Sequence, residues 1–284
     1  MHQLISLKGN SQKLDGGAMF GHVPKALWSQ WITPDDKNRI SLACRALLIR
    51  EPHKNVLLEA GVGAFFEPAL RERYGVEEPH HVLLDSLQQA GLSHTDIDIV
   101  VLSHLHFDHA GGLLSAWQEG KAPSLLFPNA RYLVSKAGWE RACHPHMRDR
   151  ASFVPALNVL LNASQRLVIV DDEKCDLLGD DYRFSFTNGH TPGLMHTIVN
   201  VPDEDPVIFA SDLIPGSFWV HLPVAMGYDR SAELLIDEKK AMLEFAVRQQ
   251  ARLFYTHDPA IALSSIKEEK GKYLPVNGVA HLPA

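Results

Sequence analysis

At 284 residues, 45% hydrophobic and 21% charged, the chain is long enough for a large core and has the make-up of a folded globular protein. Its formal charge of −7 leaves no basic footprint for nucleic acid or anionic lipid, and no apolar run reaches the roughly 18 residues that a membrane span needs. The first residues lack the charged start and long apolar core of a secretory leader, and three isolated cysteines (Cys44, Cys143, Cys175) suggest reduced thiols, so a cytoplasmic protein that binds neither membrane nor nucleic acid is expected.

No repeat or low-complexity linker interrupts the chain, which reads as one domain over 1–284, with 1–39 as an N-terminal extension. Residues 13–28 mix glycines with Met19, Phe20 and Trp28, as in a surface loop packed by its own aromatics. Residues 40–50 and 55–61 read as two strands joined by a turn at Glu51-Pro52-His53-Lys54. Leu83 to Ala90 has helical periodicity and stops at Gly91. Ser93-His94-Thr95-Asp96 then caps the entry to Ile97–Leu102, a short β-branched run that reads as a buried strand.

That strand delivers the densest chemical signal in the chain. In His104-Leu105-His106-Phe107-Asp108-His109, four ligand-type side chains fall within six residues. Histidine and aspartate suit borderline divalent cations such as zinc. On extended backbone His104 and His106 point the same way, while Asp108 and His109 lie beyond the strand and suit a second, adjacent cation. Gly111-Gly112 follows, and Leu113–Trp117 reads as a helix.

The pattern His104-x-His106-x-Asp108-His109 resembles the signature of the metallo-β-lactamase superfamily. The resemblance implies an α/β (α+β) fold, a four-layer αββα sandwich with a metal site at one edge, and three more ligands downstream. Upstream, Glu59 stands where the superfamily usually has Asp, a carboxylate that orients the metal-site loop. Within the resemblance, the N-terminal extension lies over the site, with Met19, Phe20 and Trp28 as substrate wall.

Downstream, Ala130–Val134 and Leu167–Val170 read as strands, with helices from about Ser135 and over Ala151–Ala163. His144-Pro145-His146 reads as surface or pocket rim. Arg183–Thr187 then leads into Gly189-His190-Thr191-Pro192-Gly193, which resembles the superfamily's next ligand loop. Many relatives place a histidine after that glycine; here Leu194 stands there, and His196 lies two residues on. Val207–Ala210 runs into Ser211-Asp212, Ala232–Gln250 reads as a long helix, and Arg252–Thr256 runs into His257.

The resemblance therefore implies one cation on His104, His106 and His190, a second on Asp108, His109 and His257, and Asp212 bridging the two. Zinc is the expected metal, with iron, manganese or cobalt as alternatives. Asp108 and Asp212 are the expected catalytic carboxylates, acting beside a metal-bridging hydroxide. The expected activity is hydrolysis of a small-molecule ester or lactone. Phosphotriester or phosphodiester hydrolysis at the same metals is the alternative, and iron-dependent redox chemistry ranks third. The apolar stretch 213–229 offers Phe218, His221 and Tyr228 as substrate contacts. The branch of acyl-homoserine lactonases and organophosphate hydrolases is nearest in pattern, but its lactonases carry a tyrosine soon after the bridging Asp, where this chain has Leu213-Ile214-Pro215. The N-terminal aromatics are compatible with a homodimer.

Overall fold

In a computed structural model that describes residues 2–202 and 204–283, the chain forms two compact units. One comprises residues 1–12, 43–172 and 282–284; the other comprises 13–42 and 173–281. The strands in chain order are β1 (Gln3–Leu7), β2 (Gln12–Asp15), β3 (Arg39–Leu42), β4 (Ala46–Arg50), β5 (Asn55–Leu58), β6 (Ile99–Leu102), β7 (Arg131–Ser135), β8 (Leu167–Val170), β9 (Tyr182–Thr187), β10 (Leu194–Val199), β11 (Val207–Phe209), β12 (Arg252–Phe254), β13 (Leu263–Glu269) and β14 (Lys272–Val279).

The first unit is built on the sheet β1-β4-β5-β6-β7-β8. β5 to β8 run parallel, while β1 and β4 add antiparallel strands at one edge. Every residue of β6 is buried, as a β-branched run in a parallel sheet requires. Helix Val82–Gln89 packs Leu83 and Leu87 into this core, and Ser135 caps helix Lys136–Cys143 by accepting from the Gly138 N–H. Because β5 and β6 are parallel and in register (Leu58 opposite Val101), the loops that leave their carboxyl ends emerge side by side.

The second unit is built on the sheet β14-β13-β12-β11-β10-β9. β11 and β12 are parallel, with Phe209 opposite Phe254; the other pairs are antiparallel. β9, β11 and β12 therefore end at the same edge. Helix Ala232–Gln249 buries Leu235, Met242, Leu243 and Ala246 in this unit's core and ends on Gln250 in the left-handed region.

Three expectations change. The run 40–50 is two strands in different sheets: β3 pairs with β2, and β4 pairs with β1 and β5. Leu113–Trp117 is not a helix. Gly111–Leu113 makes a single 3₁₀ turn, after which the Leu126 N–H donates to the Leu113 carbonyl and the Ser115 N–H to the Ser124 carbonyl. Those bonds to the neighbouring segment take the backbone groups that a helix would use. Residues 13–28 are not a loop packed only by its own aromatics: Gly16–Phe20 and Lys25–Trp28 are short helices. Phe20 is stacked between Trp28 (centroids 5.4 Å apart) and Trp219 (4.8 Å), and Met19, Phe20 and Trp28 belong to the second unit's core. The Trp219 indole N–H donates to the Met19 carbonyl at 2.9 Å.

Candidate metal centre

In the first unit the ligand loop leaves β6 at Ser103. His106 caps the short helix Phe107–Ala110, which carries Asp108 and His109. The imidazoles of His104 and His106 lie 4.4 Å apart between centroids, and those of His104 and His109 lie 4.1 Å apart. All three side chains are buried. His104 and His106 converge as alternation on extended backbone predicts, and His109 joins the same cluster. Asp108 Oδ2 lies 3.8 Å from His109 Nε2.

Glu59, at the end of β5, governs this cluster. Its Oε2 accepts from His109 Nδ1 at 2.8 Å, and its Oε1 accepts the Ser103 hydroxyl. Ser103 has one hydroxyl proton and gives it to the carboxylate, so its oxygen accepts from His104 Nδ1 at 2.9 Å. One buried carboxylate thus sets the Nδ1–H tautomer of two imidazoles and leaves each Nε2 with its lone pair. Glu59 holds a left-handed backbone (φ 64°), uncommon for a non-glycine residue. The Ala60 N–H donates to the His109 carbonyl and the Gly112 N–H to the Gly61 carbonyl, binding this turn to the ligand loop. A Cβ on Gly112 would lie 2.0 Å from the Ala60 carbonyl oxygen, so only glycine allows that approach.

In the second unit the strand ends deliver His190, Asp212 and His257. Asp212 Oδ2 lies 3.2 Å from His190 Nε2, and Asp212 Oδ1 lies 3.2 Å from His257 Nε2. A carboxylate that presents one oxygen to each of two imidazole nitrogens has the disposition of a bridging ligand. His190 Nδ1 donates to Asp229 Oδ1 at 2.8 Å, which again turns Nε2 outward. Glu238, on the long helix, accepts the Asn188 and Gly189 N–H groups with its two oxygens, each at 2.8 Å, and holds the backbone that carries His190. Asp258, next to His257, accepts the Ser217, Ala260 and Ile261 N–H groups and the Ser217 hydroxyl. Ser211, just before Asp212, is another left-handed non-glycine (φ 46°), so the backbone is constrained at both carboxylate turns.

The donor sets fit divalent cations. His104, His109 and His190 each have Nδ1 engaged in a hydrogen bond, and the Nε2 atoms of His190 and His257 face Asp212. A divalent cation would satisfy the Nε2 lone pairs of such neighbouring imidazoles together.

The expected substrate contacts divide. Met19, Phe20 and Trp28 are buried in the core, whereas Phe218 is half-buried and stacks on the partly exposed Trp31 at 6.2 Å. His221 is exposed, and partial burial, then Lys239 and Lys272, holds its imidazole below the usual histidine range. Tyr228 is 43% exposed on the turn that precedes Asp229. Sequence reasoning assigned no roles to Asp229, Glu238 and Lys239. Asp229 and Glu238 lie 39 and 49 residues from the positions they bind, and no local pattern marks them.

The metallo-β-lactamase superfamily model matches residues 41–268. The chain belongs to this superfamily. Its fold is the metallo-β-lactamase fold, α/β with mixed sheets. Among solved structures, a probable metal-dependent hydrolase from Staphylococcus aureus is similar with 26% identity and a TM-score of 0.86, covering 100% of this chain and 97% of that one. AidC, a dizinc quorum-quenching lactonase solved with a product, is similar with 25% identity and a TM-score of 0.76, covering 97% and 94%. An N-acyl homoserine lactonase from a Bacillus species is 25% identical over 191 residues, 66% of this chain and 64% of that protein. The lactonase AttM from Rhizobium radiobacter is 26% identical over 184 residues, 62% and 64% respectively. The chain thus spans about 64% of the length of these curated relatives. Among the described residues, no helix is long and apolar enough to cross a membrane.

Proposed function

We propose that the protein is a metal-dependent hydrolase that opens a small lactone or ester at a dinuclear centre. In this reading 1–284 works as one catalytic domain. His104, His106 and His190 hold one divalent cation, Asp108, His109 and His257 hold the other, and Asp212 bridges them. The observation that carries the reading is Asp212, whose two oxygens each lie 3.2 Å from a different imidazole Nε2. Family membership supports joining the two ligand sets, and the dizinc lactonase among the similar structures favours zinc.

Divalent cations held by these residues would supply a water of lowered pKa as nucleophile and a Lewis acid for the substrate carbonyl. The chain's own residues prepare that chemistry. Glu59 and Asp229 hold the ligand imidazoles by their Nδ1 atoms, so that Nε2 is aimed outward. Asp108 is the group that orients the attacking water or passes a proton to the leaving alkoxide. Phe218 and Tyr228 are the substrate contacts, with Met19, Phe20 and Trp28 forming the packed wall behind the loop that carries Phe218. His221 is the polar contact for the leaving group.

The test is a panel of lactones, aryl esters and aryl phosphotriesters assayed with zinc-, manganese- and cobalt-loaded protein, alongside metal analysis. Lactone or ester turnover with about two metal equivalents is expected. Turnover of phosphotriesters alone would reassign the substrate, and a single iron without zinc would remove the dinuclear hydrolase.

A further inference from the structure

His196 lies in β10, the middle strand of the trio β9-β10-β11, and is wholly buried. It pairs across the sheet with Ser185, so Thr187 is its diagonal neighbour on the same face of β9. Its Nε2 lies 2.8 Å from the Thr187 hydroxyl, and its Nδ1 lies 3.0 Å from the Ala210 carbonyl. A carbonyl only accepts, so Nδ1 carries the proton and Nε2 accepts from Thr187. Both nitrogens are satisfied by the neutral ring, in keeping with burial, which pushes its pKa down to about 4.

The two partners are placed informatively. Thr187 is the last residue of β9, three before His190; Ala210 follows β11, two before Asp212. His190 and Asp212 are themselves 3.2 Å apart. One rigid ring therefore fastens both strand ends from which these two side chains depart. A backbone ladder alone does not do this, because regular β10–β11 pairing runs only over Thr197–Val199 and Val207–Phe209 and stops short of Ala210.

We propose that His196 is a positioning residue that sets the separation of His190 and Asp212, acting through Thr187 and the Ala210 carbonyl without touching metal or substrate. The inference rests on the reading of His190 and Asp212 as metal ligands. A substitution at His196 then changes the geometry of the centre, not only the stability of the sheet.

The full-length protein, its His196→Leu, His196→Asn and Thr187→Val variants and a His190→Ala control are compared by chelator competition for Zn²⁺ and by the visible spectrum of the Co²⁺-loaded form. His196→Leu breaks both bonds. His196→Asn keeps an N–H where Nδ1 donates. Thr187→Val removes only the hydroxyl donor. The expected result is a loss of Zn²⁺ affinity of about 10-fold in His196→Leu with a shifted Co²⁺ spectrum, a smaller loss in Thr187→Val, and partial recovery in His196→Asn. If His196→Leu does not fold, Thr187→Val and His196→Asn carry the test alone. Wild-type affinity and Co²⁺ spectra in every variant that folds, with metal lost in His190→Ala, would overturn the positioning role and leave the metal centre standing. Undiminished metal binding in His190→Ala would overturn the ligand assignment itself.

Discussion

Glu59 Oε2 accepts from His109 Nδ1 at 2.8 Å, with both side chains shielded from solvent. The extra methylene relative to the superfamily's usual aspartate does not prevent the contact, and the second oxygen takes the Ser103 hydroxyl that in turn faces His104. A single carboxylate therefore orients two imidazoles of the first unit. Glu59→Gln keeps the shape but has only one acceptor oxygen, so one of the two imidazoles loses its tether. Metal affinity should fall about 10- to 100-fold, read by competition with a chelator. Wild-type affinity in this variant would mean that the ligand loop is held by its backbone bonds alone.

Asp229 does the equivalent work for His190 and also accepts the Met226 N–H at 2.6 Å. Asp229→Ala should weaken metal binding by a similar factor and speed hydrogen exchange at the Met226 amide. Loss of affinity without faster exchange would separate the two roles and assign the loop's order to Lys239.

Asp212 faces His190 and His257 with different oxygens. Asp212→Ala should lower the bound metal from about two equivalents to one or fewer and cut kcat by about 100-fold or more. Near-normal turnover by a one-metal form would refute a dinuclear mechanism.

Lys239 is fully buried on the long helix and donates to the Val224 carbonyl at 2.5 Å and the His221 carbonyl at 3.3 Å. Burial pushes its ammonium down to about 7, with Asp229 partly opposing the shift. The unfolded chain, with a lysine pKa of about 10.4, binds more protons than the folded one between these values. Stability should therefore rise with pH from about 7 to about 10 through this residue. Denaturant titrations of the wild type and Lys239→Met across that range should show the rise only in the wild type. Parallel pH profiles would show that the buried ammonium keeps its ordinary pKa.

Much of the architecture was legible because its signals are local. Ile99–Leu102 is apolar and β-branched and became a fully buried strand; Val82–Gln89 has helical periodicity and became a helix that buries Leu83 and Leu87. Leu113–Trp117 misled because its apolar residues suit a helix equally well, and the bonds from Leu126 and Ser115 that decided otherwise come from a neighbouring loop. Met19, Phe20 and Trp28 looked like a loop's own packing because sequence does not reveal that Trp219, some 200 residues on, completes the stack.

The sequence by itself determined the ligand-type side chains and their order at strand ends, because a strand, a turn and a histidine or aspartate are each written in a few adjacent residues. Only the tertiary structure decided which groups aim those side chains. Glu59 reaches His109 from 50 residues away, Asp229 reaches His190 from 39, and His196 ties together the turns before His190 and Asp212. The direction of a hydrogen bond depends on where two distant backbones are brought side by side: parallel pairing of β5 with β6 brings Glu59 beside the loop of His109, and antiparallel pairing of β10 with β9 and β11 brings His196 between Thr187 and Ala210.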